Sequence, residues 1–296
     1  MPSPELDQIV AILRARPIPP DITIEQLRLG FEMSMGMLPV PGSVAREAIT
    51  LAGRPAERLR APDGDGSRAV LYLHGGAYCI GSIQSHRSLA SRIGLASGAD
   101  VFLLDYRLAP EHPFPAAIDD ATAAYRALVA QGFAPAKLAI AGDSAGGGLT
   151  VATLLTLRDA GDALAGAAVC LSPWLDMEGT GASIEANAAR DPMLHEAGLH
   201  ETARLYLAGA NARDPRASPI HAKLAGLPPV LVHVGTAEII SDDGIRFAER
   251  ARAAGVDVTL EVWDDMIHVW HAFAMVPEAR AAVEKVGAFI RARTGG

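Results

Sequence analysis

Short apolar runs alternate with Ala-rich amphipathic stretches along most of the chain. Six runs rich in aliphatic and β-branched residues read as strands: Ala69–Leu73, Val101–Leu104, Lys137–Ala141, Ala167–Leu171, Val230–Val234 and Val256–Trp263. Between them, positions about 85–97, 116–131, 145–160, 242–254 and 278–293 repeat at helical spacing. Fully apolar strands separated by helices predict an α/β fold, a mostly parallel sheet buried on both faces. The last run differs, because Val258, Leu260 and Val262 alternate with Asp257, Thr259 and Glu261. One face of it is expected to be wetter, which suits a sheet edge and makes residues 257–263 a candidate pairing surface for a homodimer.

Two regions break the alternation. Residues 1–40 hold two helical patterns interrupted by Pro17-Ile18-Pro19-Pro20, and roughly 176–215 is a further helical insertion. Both are read as a cap over one end of a single domain spanning 1–296. Met33, Met35 and Met37 fit either a flexible acyl-binding wall or ordinary helix packing.

Composition narrows the class. The chain has 296 residues, 50% of them hydrophobic, and a formal charge of −8. This excludes a disordered chain, and the acidic balance argues against nucleic acid or an anionic membrane as partner. Cys79 and Cys170 are too few for a disulfide framework and read as buried apolar residues of a reducing compartment. No basic-then-apolar leader is visible in MPSPELDQIV, and no stretch of about 18 apolar residues occurs. A cytoplasmic protein without a membrane span is expected.

Candidate chemistry begins at Gly142-Asp143-Ser144-Ala145-Gly146, which fits the G-x-S-x-G nucleophile elbow. The motif is weak alone, but it lies between an expected strand and an expected helix, as the elbow requires. Ser144 is the expected nucleophile and needs a base within hydrogen-bond reach. His268, in the loop after the last strand, fits best, whereas His271 begins the next helix. The acid should lie between them in sequence. Glu238 follows the end of the strand Val230–Val234. Asp242 is the second candidate, although Ser241, Asp242 and Asp243 are also explained as capping residues of the next helix. The N–H groups of Gly75 and Gly76, in His74-Gly75-Gly76-Ala77, are the expected oxyanion donors with that of Ala145. Ala77 and Asp143 are expected to contact substrate, while His74 fixes its loop.

His195 and His200 flank a Glu196 as in a zinc-protease helix, but five residues turn a helix until the two rings stand about 140° apart. Gly146-Gly147-Gly148 is not followed by the Lys-Ser/Thr of a phosphate loop. No metal or cofactor is expected.

Together, His74-Gly75-Gly76-Ala77, the run Asp105-Tyr106-Arg107-Leu108-Ala109-Pro110-Glu111-His112-Pro113-Phe114-Pro115-Ala116-Ala117, and Gly142-Asp143-Ser144-Ala145-Gly146-Gly147 resemble the hormone-sensitive-lipase family of bacterial esterases. The resemblance covers about 40–296. It implies the α/β-hydrolase fold, a helical cap, and hydrolysis of short-chain carboxylic esters. The family's acid motif, acid-x-x-x-Asp, falls on Glu238-Ile239-Ile240-Ser241-Asp242 and puts the catalytic acid at Glu238. The chain departs from the family in having Ala77 for a third glycine and Glu for the usual Asp. A small-molecule receptor on the same fold, or an amide hydrolase or acyltransferase with the same triad, are the alternatives.

Overall fold

The computed structural model describes residues 2–16, 19, 22–64 and 66–295. Three residues of the expected Pro17-Ile18-Pro19-Pro20 break therefore lie outside the described residues. Before it runs α1 (Pro4–Arg14), capped by the Ser3 hydroxyl, and after it α2 (Ile24–Met35), opened by a Thr23–Gln26 capping box.

The described residues form an eight-stranded sheet in the order β1-β2-β4-β3-β5-β6-β7-β8. Its members are β1 (Ala45–Leu51), β2 (Arg54–Arg60), β3 (Ala69–Leu73), β4 (Asp100–Leu104), β5 (Leu138–Asp143), β6 (Ala167–Leu171), β7 (Val230–Gly235) and β8 (Val258–Trp263). From β4 to β8 neighbouring strands are parallel, while β2 joins β4, and β1 joins β2, antiparallel. The six expected strands are present, β3 and β6 with the expected ends and the others with ends moved by at most two residues, and β8 is an edge strand.

β1 and β2 were not expected. Their sequences, AREAITL and RPAERLR, carry charges at alternating and adjacent positions, and β1 is mostly exposed. A search for apolar runs passes over such a pair. Its signal lies in the turn: Ala52 and Gly53 have φ of 50° and 78°, the two left-handed residues that a tight hairpin requires.

Helices cover both faces. Leu71, Leu73, Ile140, Cys170 and Val232 point into one core, which is closed by α4 (Ala116–Ala130), α5 (Ala145–Ala160) and α8 (Ser241–Ala253). Val70, Tyr72, Ala139, Val169 and Leu231 point into the other, closed by α3 (Ile83–Ser97) and α9 (Pro277–Arg293). The change of face at each step along β3, β5, β6 and β7 is the two-residue period of a strand. Both cysteines are free and buried. The insertion contributes α6 (Ser183–Ala186) and α7 (Glu196–Leu207). Among the described residues, no helix is long and apolar enough to cross a membrane.

Candidate active site

Five neighbouring parallel strands, β3 and β5 to β8, end on the same side of the sheet; the loops after four of them carry the candidate residues, and Ser172 follows the fifth. Leu73 of β3 precedes the His74-Gly75-Gly76 loop, and Asp143 of β5 precedes Ser144. Leu171 of β6 precedes Ser172, Gly235 of β7 lies three residues before Glu238, and Trp263 of β8 lies five before His268. Ligands of open α/β sheets gather at this end.

Ser144 caps α5 at φ 53° and ψ −122°, a positive-φ conformation uncommon outside glycine. Such a position costs about 1–3 kcal/mol, which the surrounding structure must offset. The flanking glycines are required sterically. A Cβ on Gly142 would overlap the Gly146 carbonyl, and one on Gly146 would overlap the Leu73 carbonyl of the neighbouring strand. The turn thus presses the nucleophile loop against β3 and puts Ser144 at the positive end of α5.

Glu238 is fully buried. Its Oε2 meets His268 Nδ1 at 2.8 Å. Its Oε1 accepts the Ser172 hydroxyl at 2.8 Å and the N–H of Gly235. Burial pushes the Glu238 carboxyl up, with the hydrogen bonds of His268, Gly235 and Ser172 pulling it back. Burial alone would lower His268, but the hydrogen bond and charge of Glu238 reverse this and hold the imidazole above its ordinary 6.5. With Nδ1 engaged by a carboxylate, Nε2 is the nitrogen left to take up a proton.

Ser144 and His268 line one cavity of about 190 Å³. Its wall is mainly apolar: Leu27, Phe31, Met35 and Leu38 from the N-terminal region, Trp174, and Met193, Leu194 and Leu199 from the insertion. Of the three methionines singled out in sequence, Met35 faces this cavity, while Met33 and Met37 are 63% and 84% exposed.

Gly76 and Ala77 also line the cavity, with Gly75 buried behind them. Gly76 has φ 111°, and a Cβ there would overlap the Ile80 carbonyl; one on Gly75 would overlap the Asp143 carboxylate. Among the described residues, the N–H groups of Gly75, Gly76 and Ala145 have no protein acceptor. His74 is buried, stacks on Tyr106 at 4.2 Å and holds the Gly75 carbonyl through Nδ1. Burial, with His86 beside it, lowers its pKa to about 3, so it stays neutral. Asp143 reaches the cavity wall, but its carboxylate is engaged by the Tyr72 hydroxyl at 2.7 Å and by His86 Nε2 at 3.3 Å.

The residues after Glu238 do not act as helix caps. Ile240 is the N-cap of α8, and no side chain caps it. Asp242 instead accepts the N–H of Ser183, and Asp243 those of Leu175 and Asp176. Both carboxylates tie the acid loop to the insertion, and Asp242 does not line the cavity.

Three residues beside Glu238 carried no sequence signal. Ser172 bonds its side chain, Asn187 Nδ2 donates to its carbonyl at 2.8 Å, and Asp191 accepts the N–H of Ile239 at 3.0 Å. Elsewhere, His195 accepts the Gly198 N–H as the N-cap of α7, and His200 pairs with Glu196 on the exposed helix. The one group of three possible metal ligands among the described residues is Asp176, Glu178 and His221. Arg246 and Arg213 already neutralise its two carboxylates.

Comparison with known proteins adds the family. Residues 70–272 match the model of an alpha/beta hydrolase fold family. The chain is 45% identical over 296 residues to an acetyl-hydrolase of Streptomyces hygroscopicus, covering 100% of this chain and 99% of that one. It superposes with TM-score 0.97 on an esterase from the bacterial hormone-sensitive lipase family, at 47% identity and with 100% of each chain covered. The chain belongs to the hormone-sensitive-lipase family of α/β hydrolases. It is accordingly a carboxylic ester hydrolase. A second esterase structure, EstE5 soaked with p-nitrophenyl butyrate, matches this esterase with TM-score 0.96 at 47% identity over 99% of this chain and 100% of that one.

Proposed function

We propose that this esterase hydrolyses short-chain acyl esters through a Ser144–His268–Glu238 triad and an acyl-enzyme. The observation that carries the reading is the 2.8 Å contact between Glu238 and His268 Nδ1, with His268 and Ser144 on the wall of one cavity. His268 Nε2 takes the Ser144 proton as Oγ attacks the ester carbonyl, and returns it to the departing alcohol. Glu238 holds the ring and stabilises the imidazolium that forms. Water then attacks the acyl-enzyme with the same proton traffic, releasing the acid.

The tetrahedral oxyanion is held by the N–H groups of Gly76, Gly75 and Ala145, which have no acceptor among the described residues and lie at the turn and the helix start around Ser144. Each such donor contributes about 3 kcal/mol to the transition state. Ala77 forms part of the substrate wall, and Asp143 supports the Gly75 loop from behind. The single domain 1–296 is capped by about 1–40 and 176–215, whose Phe31, Met35, Met193 and Leu194 reach the cavity.

The acyl-chain limit is supported by the space available. An apolar cavity of ~150 Å³ takes a benzene-sized guest, so about 190 Å³ suits a short chain rather than a fatty acyl group. The EstE5 soak with a butyrate ester is consistent with this. A series of p-nitrophenyl esters from acetate to palmitate tests it on the native protein and on Ser144→Ala. Highest kcat/KM at acetate to hexanoate, and at least about 10³-fold loss in the variant, are expected. A maximum at palmitate would reject the short-chain reading.

A further inference from the structure

Ser172 is the first residue after β6, buried, and φ 47° places it in the left-handed region. Its N–H donates to the His233 carbonyl at 2.8 Å, which anchors it to β7. Its hydroxyl lies between the two loops that carry the acid and the base. Oγ donates to Glu238 Oε1 at 2.8 Å and accepts the N–H of Val269 at 3.1 Å. Val269 directly follows His268 and is also left-handed, with φ 48°, which a β-branched residue adopts only when held there.

We infer that Ser172 is a positioning residue for the triad, one hydroxyl that locks the Glu238 carboxylate and the His268 loop into a single hydrogen-bonded unit. The inference rests on the triad reading above. A glutamate has one more rotatable bond than an aspartate, so its carboxylate needs more restraint to stay on the imidazole. Here Oε1 is fixed by two donors, Ser172 and Gly235, and Oε2 is thereby turned to His268 Nδ1. Without the Ser172 hydroxyl, Oε1 keeps a single donor and the buried Val269 N–H loses its acceptor. Both losses loosen the same contact. Ser172 does not reach the cavity, so substrate binding is not directly affected.

Ser172→Gly is the informative variant, because glycine tolerates φ 47° and the backbone is not strained by the change. With p-nitrophenyl butyrate, kcat is expected to fall about tenfold or more while KM stays within about twofold. Ser172→Ala, which keeps the Cβ, should show the same division between kcat and KM. The decisive comparison is made in a Glu238→Ala background. There Ser172→Gly should cost less than about twofold further, because the hydroxyl acts through a carboxylate that is gone. Multiplied losses in the double variant, or an unchanged kcat in both single variants, would overturn the inference. If Glu238→Ala itself retains native activity, the triad reading fails instead, and the two failures are told apart by that control.

Discussion

At the scale of single residues, the proposed acid is a glutamate where the family resemblance implies an aspartate. The longer arm is accommodated because Oε1 is occupied by Ser172 and Gly235, leaving Oε2 for His268. Asp242, four residues on, spends its carboxylate on the Ser183 N–H of the insertion. Glu238→Ala is therefore expected to lower kcat by at least about 10²-fold at unchanged folded content, and Asp242→Ala by less than about fivefold. Circular dichroism alongside steady-state kinetics checks both. In the proposed mechanism the pH profile follows from His268, whose Nε2 must be unprotonated to accept the Ser144 proton. Since Glu238 raises the imidazole above its ordinary 6.5, the acid limb of kcat/KM should have its midpoint above that value. Activity is lost as pH falls through it, and in Glu238→Gln, which keeps the shape but removes the charge, the midpoint should move down. Ser144, His268 and Glu238 stand out in sequence as candidates because each belongs to a local motif or lies in the loop after a strand. Ser172, Asn187 and Asp191 were not, since they meet the acid loop from 66, 51 and 48 positions away and no spacing encodes that.

At the scale of elements, the parallel strands could be read from apolar runs because burial on both faces leaves no polar positions in them. β1 and β2 escaped that reading for the opposite reason: one lies on the sheet edge, and both carry charged side chains. The insertion was legible as helical but not in its attachment. Its contacts converge on one short segment. Asn187 holds the Glu238 carbonyl, Ser183 the Ile239 carbonyl, and Asp191 the Ile239 N–H. The other oxygen of Asp191 orders the N–H groups of Met193 and Leu194, two residues of the cavity wall. The insertion therefore braces the Glu238 loop while forming part of the cavity wall. Asp191→Ala removes both functions at once. It is expected to raise KM and lower kcat together, each by about threefold to tenfold, whereas Asn187→Ala, which touches only the acid loop, should lower kcat alone. Steady-state kinetics on the two variants separates these outcomes.

At the scale of the whole molecule, the sheet gathers the candidate residues Ser144, Glu238 and His268 at one end. β8 remains an edge, with Val262 48% exposed and ion pairs from Lys285 and Arg293 to Glu261 and Asp257 along it. The formal charge of −8 carries no information about the ester, because the cavity wall is almost entirely apolar. Cavity size was hidden in the sequence for a related reason: it is set by side chains of α2, the Trp174 loop and the insertion, which meet only in the folded chain. The central claim is that Ser144 is activated as a nucleophile by His268 and Glu238. Intact-mass and peptide spectrometry after treatment with a fluorophosphonate tests it most directly. One adduct per chain is expected, located on Ser144 and formed at least about 10²-fold more slowly in His268→Ala. An unlabelled native protein, or an adduct on any other residue, would contradict it.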